Sequence, residues 1–330
     1  MRFSDITGHE QIIAHLQNAI ANGKVSHAYI FDGPRQSGKG MLAGAFAQAL
    51  LCEEHGTDGC GRCRSCRQAN SGSHPDIIRV THEKPNTISV NDIREQVSGT
   101  ILTKPYNLSS RFKVYIIDEA EKMNEQAQNA LLKTLEEPPA HAVILLLSAN
   151  ASSFLPTIRS RCVMLSLRPV ADAQIRALLM QKYQVVDYRA DLCTAFAQGN
   201  VGKAVSLAGS TSFNELKELT VRFLREIQNS GPAELAESIR EILDFQMQDD
   251  FLDLILFWFR DVLCFKAAGG GARLLYSDRK AEIREEAEAL SWKGLGSIFN
   301  ALEEVRRQLR ENVGAPLALE LFALTVKAAY

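Results

Sequence analysis

Short, uninterrupted apolar runs, each leading into glycine or acidic residues, punctuate the first half of the chain. SHAYIFDG (Ser26–Gly33), DIIRV (Asp76–Val80), KVYIIDEAEKM (Lys113–Met123), AVILLLS (Ala142–Ser148) and CVMLSL (Cys162–Leu167) each read as strands. Continuous apolar character, rather than alternation, marks a strand buried on both faces. Helical segments lie between them: MLAGAFAQALL after the first strand, NDIREQVSGTIL after the second and NEQAQNALLKTLEE after the third. The last is stopped by Pro138-Pro139, because proline lacks the N–H and its ring clashes with the preceding turn. Strands alternating with helices predict an α/β domain built on a mostly parallel sheet with helices on both faces.

From about Arg168 only helical periodicity is left. A small helical unit covers roughly Pro169–Ala208, ending after the turn-like GNVGK, and a larger all-helical part runs from about Ser212 to Tyr330, with GGG at 269–271 marking a loop. The predicted organisation is therefore an α/β domain at 1–167 with a cysteine-rich insert at about 52–66, a helical lid at 168–210 and a helical domain at 211–330. At 330 residues, two or three domains are expected.

Composition narrows the partners. Hydrophobic residues make up 46% and charged residues 23%, with a formal net charge of −2 and a pI near 6.4. A chain that grips nucleic acid by itself is usually basic, so such contacts are expected to be local or shared. The LILFWF run near Leu254 is far too short for a membrane span, and MRFSDITGHE has neither the apolar core nor the cleavage site of a secretory signal. A cytoplasmic protein without a membrane partner is expected.

GPRQSGKG (Gly33–Gly40) has the G-x-x-x-x-G-K spacing of a phosphate-binding loop, set between a predicted strand and a helix whose N-terminal N–H groups favour anions. Gly33, Gly38, Lys39 and Gly40 are the candidate phosphate contacts. YIIDEAE supplies a matching acidic segment, with Asp118 near a magnesium ion and Glu119 near an attacking water. At Gly40, however, the serine or threonine hydroxyl that holds magnesium is missing. The pattern predicts a site for ATP or ADP in which turnover is impaired, and leaves open whether magnesium accompanies the nucleotide.

Four of the seven cysteines, Cys52, Cys60, Cys63 and Cys66, follow a C-x7-C-x2-C-x2-C spacing. In a cytosolic chain that cluster argues for metal rather than disulfides, and four thiolates close a tetrahedral shell, so one structural zinc is predicted. Cys162, Cys193 and Cys264 lie in apolar surroundings and read as core residues. His74 is either a ligand or a turn residue, and Arg62, Arg64 and Arg67 either meet phosphates or face solvent.

NALLKTLEEPP (Asn129–Pro139), followed by SRC (Ser160–Cys162), together with the cysteine insert, resembles the bacterial DNA polymerase III clamp-loader subunits of the AAA+ class. The resemblance extends over about residues 1–210. It implies an AAA+ P-loop module, a lid and a helical collar that assembles a hetero-oligomeric ring with tau/gamma and delta subunits, loading a sliding clamp onto primed DNA. It implies that Arg161 is an arginine finger acting on a neighbouring subunit's nucleotide, and that Asn150 occupies the sensor-1 position facing a γ-phosphate. The active tau/gamma-like members carry a complete loop and a sensor-2 arginine in the lid; here Gly40 and Gly202 stand at those positions, with Lys203 one residue on. Those departures, and the short length, are similar to delta-prime-like subunits.

The expectation is thus a stator without independent catalysis. Its rivals are an active tau/gamma-like ATPase that tolerates Gly40, and a nucleic-acid-binding scaffold that depends on zinc.

Overall fold

A computed structural model describes every residue except 83, 107–110, 230, 246, 269–270 and 312–313, and leaves aside the side chains of 232 and 310. Two compact units are formed. The first comprises Met1–Leu178 with Ala197–Lys203, the second Leu179–Phe196 with Ala204–Tyr330.

The first unit runs α1 (Glu10–Ala21), β1 (Ala28–Asp32), α2 (Lys39–Leu50), α3 (Arg64–Ser71), β2 (Ile77–Val80), α4 (Val90–Ile93), β3 (Lys113–Ile117), α5 (Glu125–Glu136), β4 (Ala142–Ser148), α6 (Pro156–Arg159), β5 (Val163–Ser166) and α7 (Asp172–Gln181). The strands form one parallel sheet in the order β2-β3-β4-β1-β5. Every residue of β3 and β4 is buried, whereas the edge strands β2 and β5 are only partly covered. That is why the central strands read as unbroken apolar runs. Alternate residues of those strands serve opposite layers, as a period of two requires. Tyr29, Phe31, Val143 and Leu145 pack against α2, while Ile30, Ile117, Ile144 and Leu146 pack against Leu131 and Leu135 of α5.

Local chemistry sets the boundaries. Asn124 caps α5 by accepting from the N–H of Ala127 at 2.8 Å, and the helix stops before Pro138. The helix predicted over NDIREQVSGTIL is shorter. After α4 the backbone widens into a π-type turn at Arg94–Ser98 and ends at Gly99, whose N–H reaches back to the carbonyl of Arg94 at 2.8 Å. A Cβ at Gly99 would lie 3.1 Å from that oxygen, so glycine suits the close return. The pattern reading passed over α1, whose only fully buried residue is Leu16.

The second unit is helical: α8 (Asp187–Ala197), α9 (Val201–Gly209, beginning in the first unit), α10 (Thr211–Asn229), α11 (Pro232–Asp244), α12 (Gln248–Ala268), α13 (Lys280–Ala289), α14 (Trp292–Arg310) and α15 (Ala315–Ala329). The LILFWF run lies in α12, which buries Phe251, Leu254, Ile255, Trp258 and Phe259 at the centre of this unit. No described helix is long and apolar enough to cross a membrane. The loop expected at 269–271 falls, except for Gly271, outside the described residues.

Candidate functional site

In a parallel sheet the turns after the strands gather at one edge, and the phosphate-loop pattern sits there between β1 and α2. Gly38 takes a left-handed φ of 98°, which suits glycine, and leads into α2. Lys39 is buried, and its Nζ donates to the carbonyl oxygens of Gly33 at 2.6 Å and Pro34 at 2.7 Å. Burial lowers its pKa; the nearby carboxylates of Glu121, Asp118 and Asp32 work in the opposite direction. Gly33 packs closely enough on Leu167 that an added Cβ would lie 3.0 Å from that side chain.

Asp118 follows β3 directly and accepts from the N–H of Glu119 at 2.9 Å. Glu119 adopts a left-handed φ of 46°, and its carboxylate pairs with Lys122 at 2.5 Å and Arg35 at 3.0 Å. The hydrogen bond from Lys122, followed by the charges of Lys122 and Arg35, holds the Glu119 carboxyl below its usual value. Gly38, Lys39, Gly40, Asp118, Glu119 and Gly202 line one cleft of about 620 Å³. After β4 it is Ala149 that lines the cleft; the Asn150 side-chain oxygen accepts from the N–H and hydroxyl of Ser152 at 3.1 and 2.6 Å.

Sequence reasoning gave no role to Arg35 or Asn200. Asn200 caps α9, accepting from the N–H of Lys203 at 3.1 Å, while its Nδ2 donates to the carbonyl of Arg35 at 2.7 Å. The N–H of Gly202 donates to the carbonyl of Gln36 at 3.1 Å. The asparagine before a helical run in GNVGK carried a capping signal; its contact with the loop had none. Helix N-terminal N–H groups and a lysine fit a phosphate group. Gly40 offers no side-chain oxygen for a magnesium ion, while the Lys39 ammonium, with three donors and two carbonyl partners, keeps one N–H for a phosphate.

The four predicted metal ligands do come together. The Sγ atoms of Cys52, Cys60, Cys63 and Cys66 all lie within 4.8 Å of one another, with Cys60 and Cys66 at 3.9 Å. A tetrahedral zinc with Zn–S bonds of about 2.3 Å requires S···S separations of about 3.8 Å. Backbone N–H groups point at three of the sulfurs: Cys60 to Cys52 at 3.4 Å, Cys63 to Cys60 at 3.3 Å and Cys66 to Cys63 at 3.3 Å. Such donors favour thiolate, and the N–H of Cys63 heads the causes that lower the Cys60 pKa to about 7. Burial pushes Cys52 and Cys66 the other way. The donor set and spacing fit a metal ion such as zinc.

His74 is not among these ligands. It is buried, with Nε2 2.8 Å from the hydroxyl of Ser65 and Nδ1 accepting from the N–H of Asp76 at 3.0 Å, so it ties α3 to the start of β2. Arg62, Arg64 and Arg67 are exposed, and Arg62 pairs with Glu54 at 2.9 Å. Cys193 is buried, whereas Cys162 and Cys264 are only partly covered.

Arg161 lies toward the opposite end of the strands. It lies in the turn two residues before β5, whose first residue Val163 pairs with Tyr29 near the start of β1. The phosphate loop follows the end of β1, and the four residues from Tyr29 to Gly33, at about 3.3 Å each, put roughly 13 Å between the start of β5 and the loop. The Arg161 guanidinium donates to Glu136 through Nη2 at 2.8 Å and to the carbonyl of Thr157 through Nη1 at 2.9 Å. The length of the strands thus lies between the backbone of Arg161 and the phosphate loop of its own chain.

Comparison with known proteins shows the family of the chain. The family described as "DNA polymerase III, delta subunit" matches residues 8–171, and "DNA polymerase III, delta subunit, C terminal" matches residues 214–325. The chain belongs to the DNA polymerase III clamp-loader subunit family. Its α/β part sets the phosphate-loop pattern on a five-stranded parallel sheet and is followed by helices.

Among the relatives, DNA polymerase III subunit tau of Bacillus subtilis is 30% identical over 335 residues, an alignment covering 94% of this chain and 58% of that protein. Subunit delta' of the same organism is 29% identical over 321 residues, covering 96% and 95%. Subunit tau of Escherichia coli is 34% identical over 211 residues, covering 62% of this chain and 32% of its own length. The chain therefore spans little more than half of the Bacillus tau protein and about a third of the Escherichia one.

Proposed function

We propose that this subunit is delta-prime-like: a clamp-loader stator that supplies Arg161 to the nucleotide site of a neighbouring subunit and does not itself drive the ATPase cycle. The observation that carries the reading is the position of Arg161, half-exposed at the end of the strands opposite the phosphate loop of its own chain. A guanidinium there is remote from its own cleft and available to a second chain. In that role it offsets negative charge on the transferring phosphoryl group, worth about 10³–10⁵ in rate for arginine fingers of GTPases. The chain's own cleft supports the negative half of the proposal through glycine at position 40, where a magnesium-holding hydroxyl is missing.

The partners on this reading are tau/gamma and delta subunits in a hetero-oligomeric ring, with the helical domain at 211–330 as collar and 168–210 as lid. The assembly's targets are the sliding clamp and primed DNA. We assign zinc to the four-cysteine shell, where it fixes a turn too rich in glycine, serine and arginine to build a core of its own.

The test is ATP turnover, stimulated by clamp and primed DNA, in the reconstituted loader. Arg161→Ala is expected to slow turnover strongly and Lys39→Ala to leave it close to wild type. A large loss in Lys39→Ala would instead identify an active tau/gamma-like subunit.

A further inference from the structure

We infer that Glu136 is a positioning residue for Arg161, holding its guanidinium in a fixed orientation for a neighbouring subunit's phosphate; this rests on the finger reading above. Glu136 is the last residue of α5, and Glu137 follows it. The end of a helix carries partial negative charge and favours cations, so two carboxylates at this terminus run against the helix's own electrostatics. Where a sequence breaks a local rule, the compensating gain is often found at a functional site. Here the Glu136 carboxylate meets the Nη2 of Arg161 at 2.8 Å.

The pair does little for stability. The side chains of Arg161 and Glu136 are 35% and 52% exposed, and ion pairs that open to solvent contribute little. Its consequence is orientational. The guanidinium is planar, and it is held from two elements: by Glu136 at the end of α5 through Nη2, and by the carbonyl of Thr157 in α6 through Nη1. Two anchors on a rigid fork fix the plane of the group. Among the described contacts Nε makes none, so the fork keeps a donor for an incoming phosphate oxygen while it remains held.

The experiment uses the reconstituted loader with Glu136→Ala, Glu136→Gln, Arg161→Ala and the double variant Glu136→Ala/Arg161→Ala, each checked for assembly and melting temperature. Because misplacing a catalytic group by an ångström costs up to about 100-fold, Glu136→Ala is expected to lower kcat about 10-fold with little change in the KM for ATP. Glu136→Gln, which keeps an oxygen acceptor, should recover part of the loss. In the Arg161→Ala background, removing Glu136 should have no further effect. Wild-type kcat in Glu136→Ala beside a slow Arg161→Ala would overturn the inference and leave the finger standing. A further loss in the double variant would also overturn it, because Glu136 would then act independently of Arg161. Wild-type turnover in Arg161→Ala would instead remove the finger reading itself.

Discussion

The backbone N–H of Gly202 donates to the carbonyl oxygen of Gln36, so the first turn of α9 rests directly on the phosphate loop. A Cβ at position 202 would lie 2.3 Å from that oxygen, closer than a real contact allows. The position where active relatives are expected to carry a nucleotide-sensing arginine is here in backbone contact with the loop. A side chain at 202 must move the turn or the loop.

Gly202→Ala is therefore expected to destabilise the protein by about 1–3 kcal/mol, the usual cost of overpacking. Gly296 in α14 has nothing within 4 Å of an added Cβ. Gly296→Ala should stabilise by about 0.5–1 kcal/mol through helix propensity. Urea unfolding of the two variants measures the contrast, and equal effects would contradict the close approach at 202.

Metal analysis of protein purified without chelator should find one zinc per chain, and Cys63→Ser should lose most of it. Removal of the metal is expected to unfold the 52–66 segment and to lower the melting temperature, because four thiols without an ion leave a turn with no core. A zinc content far below one per chain would refute the assignment.

Gln128 joins α5 to the segment leading into α6. Its amide nitrogen donates to the carbonyls of Met123 at 3.1 Å and Ser153 at 3.2 Å, and its oxygen accepts from the N–H of Leu155 at 2.8 Å. The side chain is buried, so Gln128→Leu strands three backbone groups and is expected to cost about 2–4 kcal/mol. Denaturant titration reads the loss; a variant within about 0.5 kcal/mol of wild type would show the groups repaired elsewhere.

Glu286 gives the second unit a pH dependence. Burial raises its carboxyl to about 7, against the opposing hydrogen bonds from Trp258 and Tyr330, and Glu282 adds a like charge. Between the ordinary carboxylate value and about 7 the folded state keeps a proton that the unfolded chain has released. Stability therefore falls as pH rises through that window and levels off above it, by at most about 3 kcal/mol. Glu286→Gln should flatten stability between pH 5 and 8, measured by unfolding at each pH. An unchanged slope would mean that Glu286 does not carry it.

Much of this was written in one dimension. Buried strands such as AVILLLS declare themselves because both faces of a central strand are covered. The cysteine knuckle was legible because short C-x2-C turns bring their own ligands together. The phosphate loop was legible as strand, glycine turn and helix, and Asn124 and Pro138 marked the ends of α5. The helix after β2 was overextended, because a π-type turn ending at Gly99 does not alter the hydrophobic pattern. The side-chain oxygen of Asn150 accepts from Ser152, a choice between local partners that the sequence leaves open.

By itself, then, the sequence determined the buried strands, the four-cysteine cluster and the missing hydroxyl at position 40, all of which depend on neighbours within a few residues. Tertiary structure alone decided that Asn200 and Gly202 rest on the phosphate loop, and that Glu136 meets Arg161 across 25 positions of chain. It also decided that Arg161 stands toward the end of the strands away from its own phosphate loop. Those relations follow from the order and register of parallel strands, set by packing between segments far apart in the chain, and no periodicity within one segment encodes them.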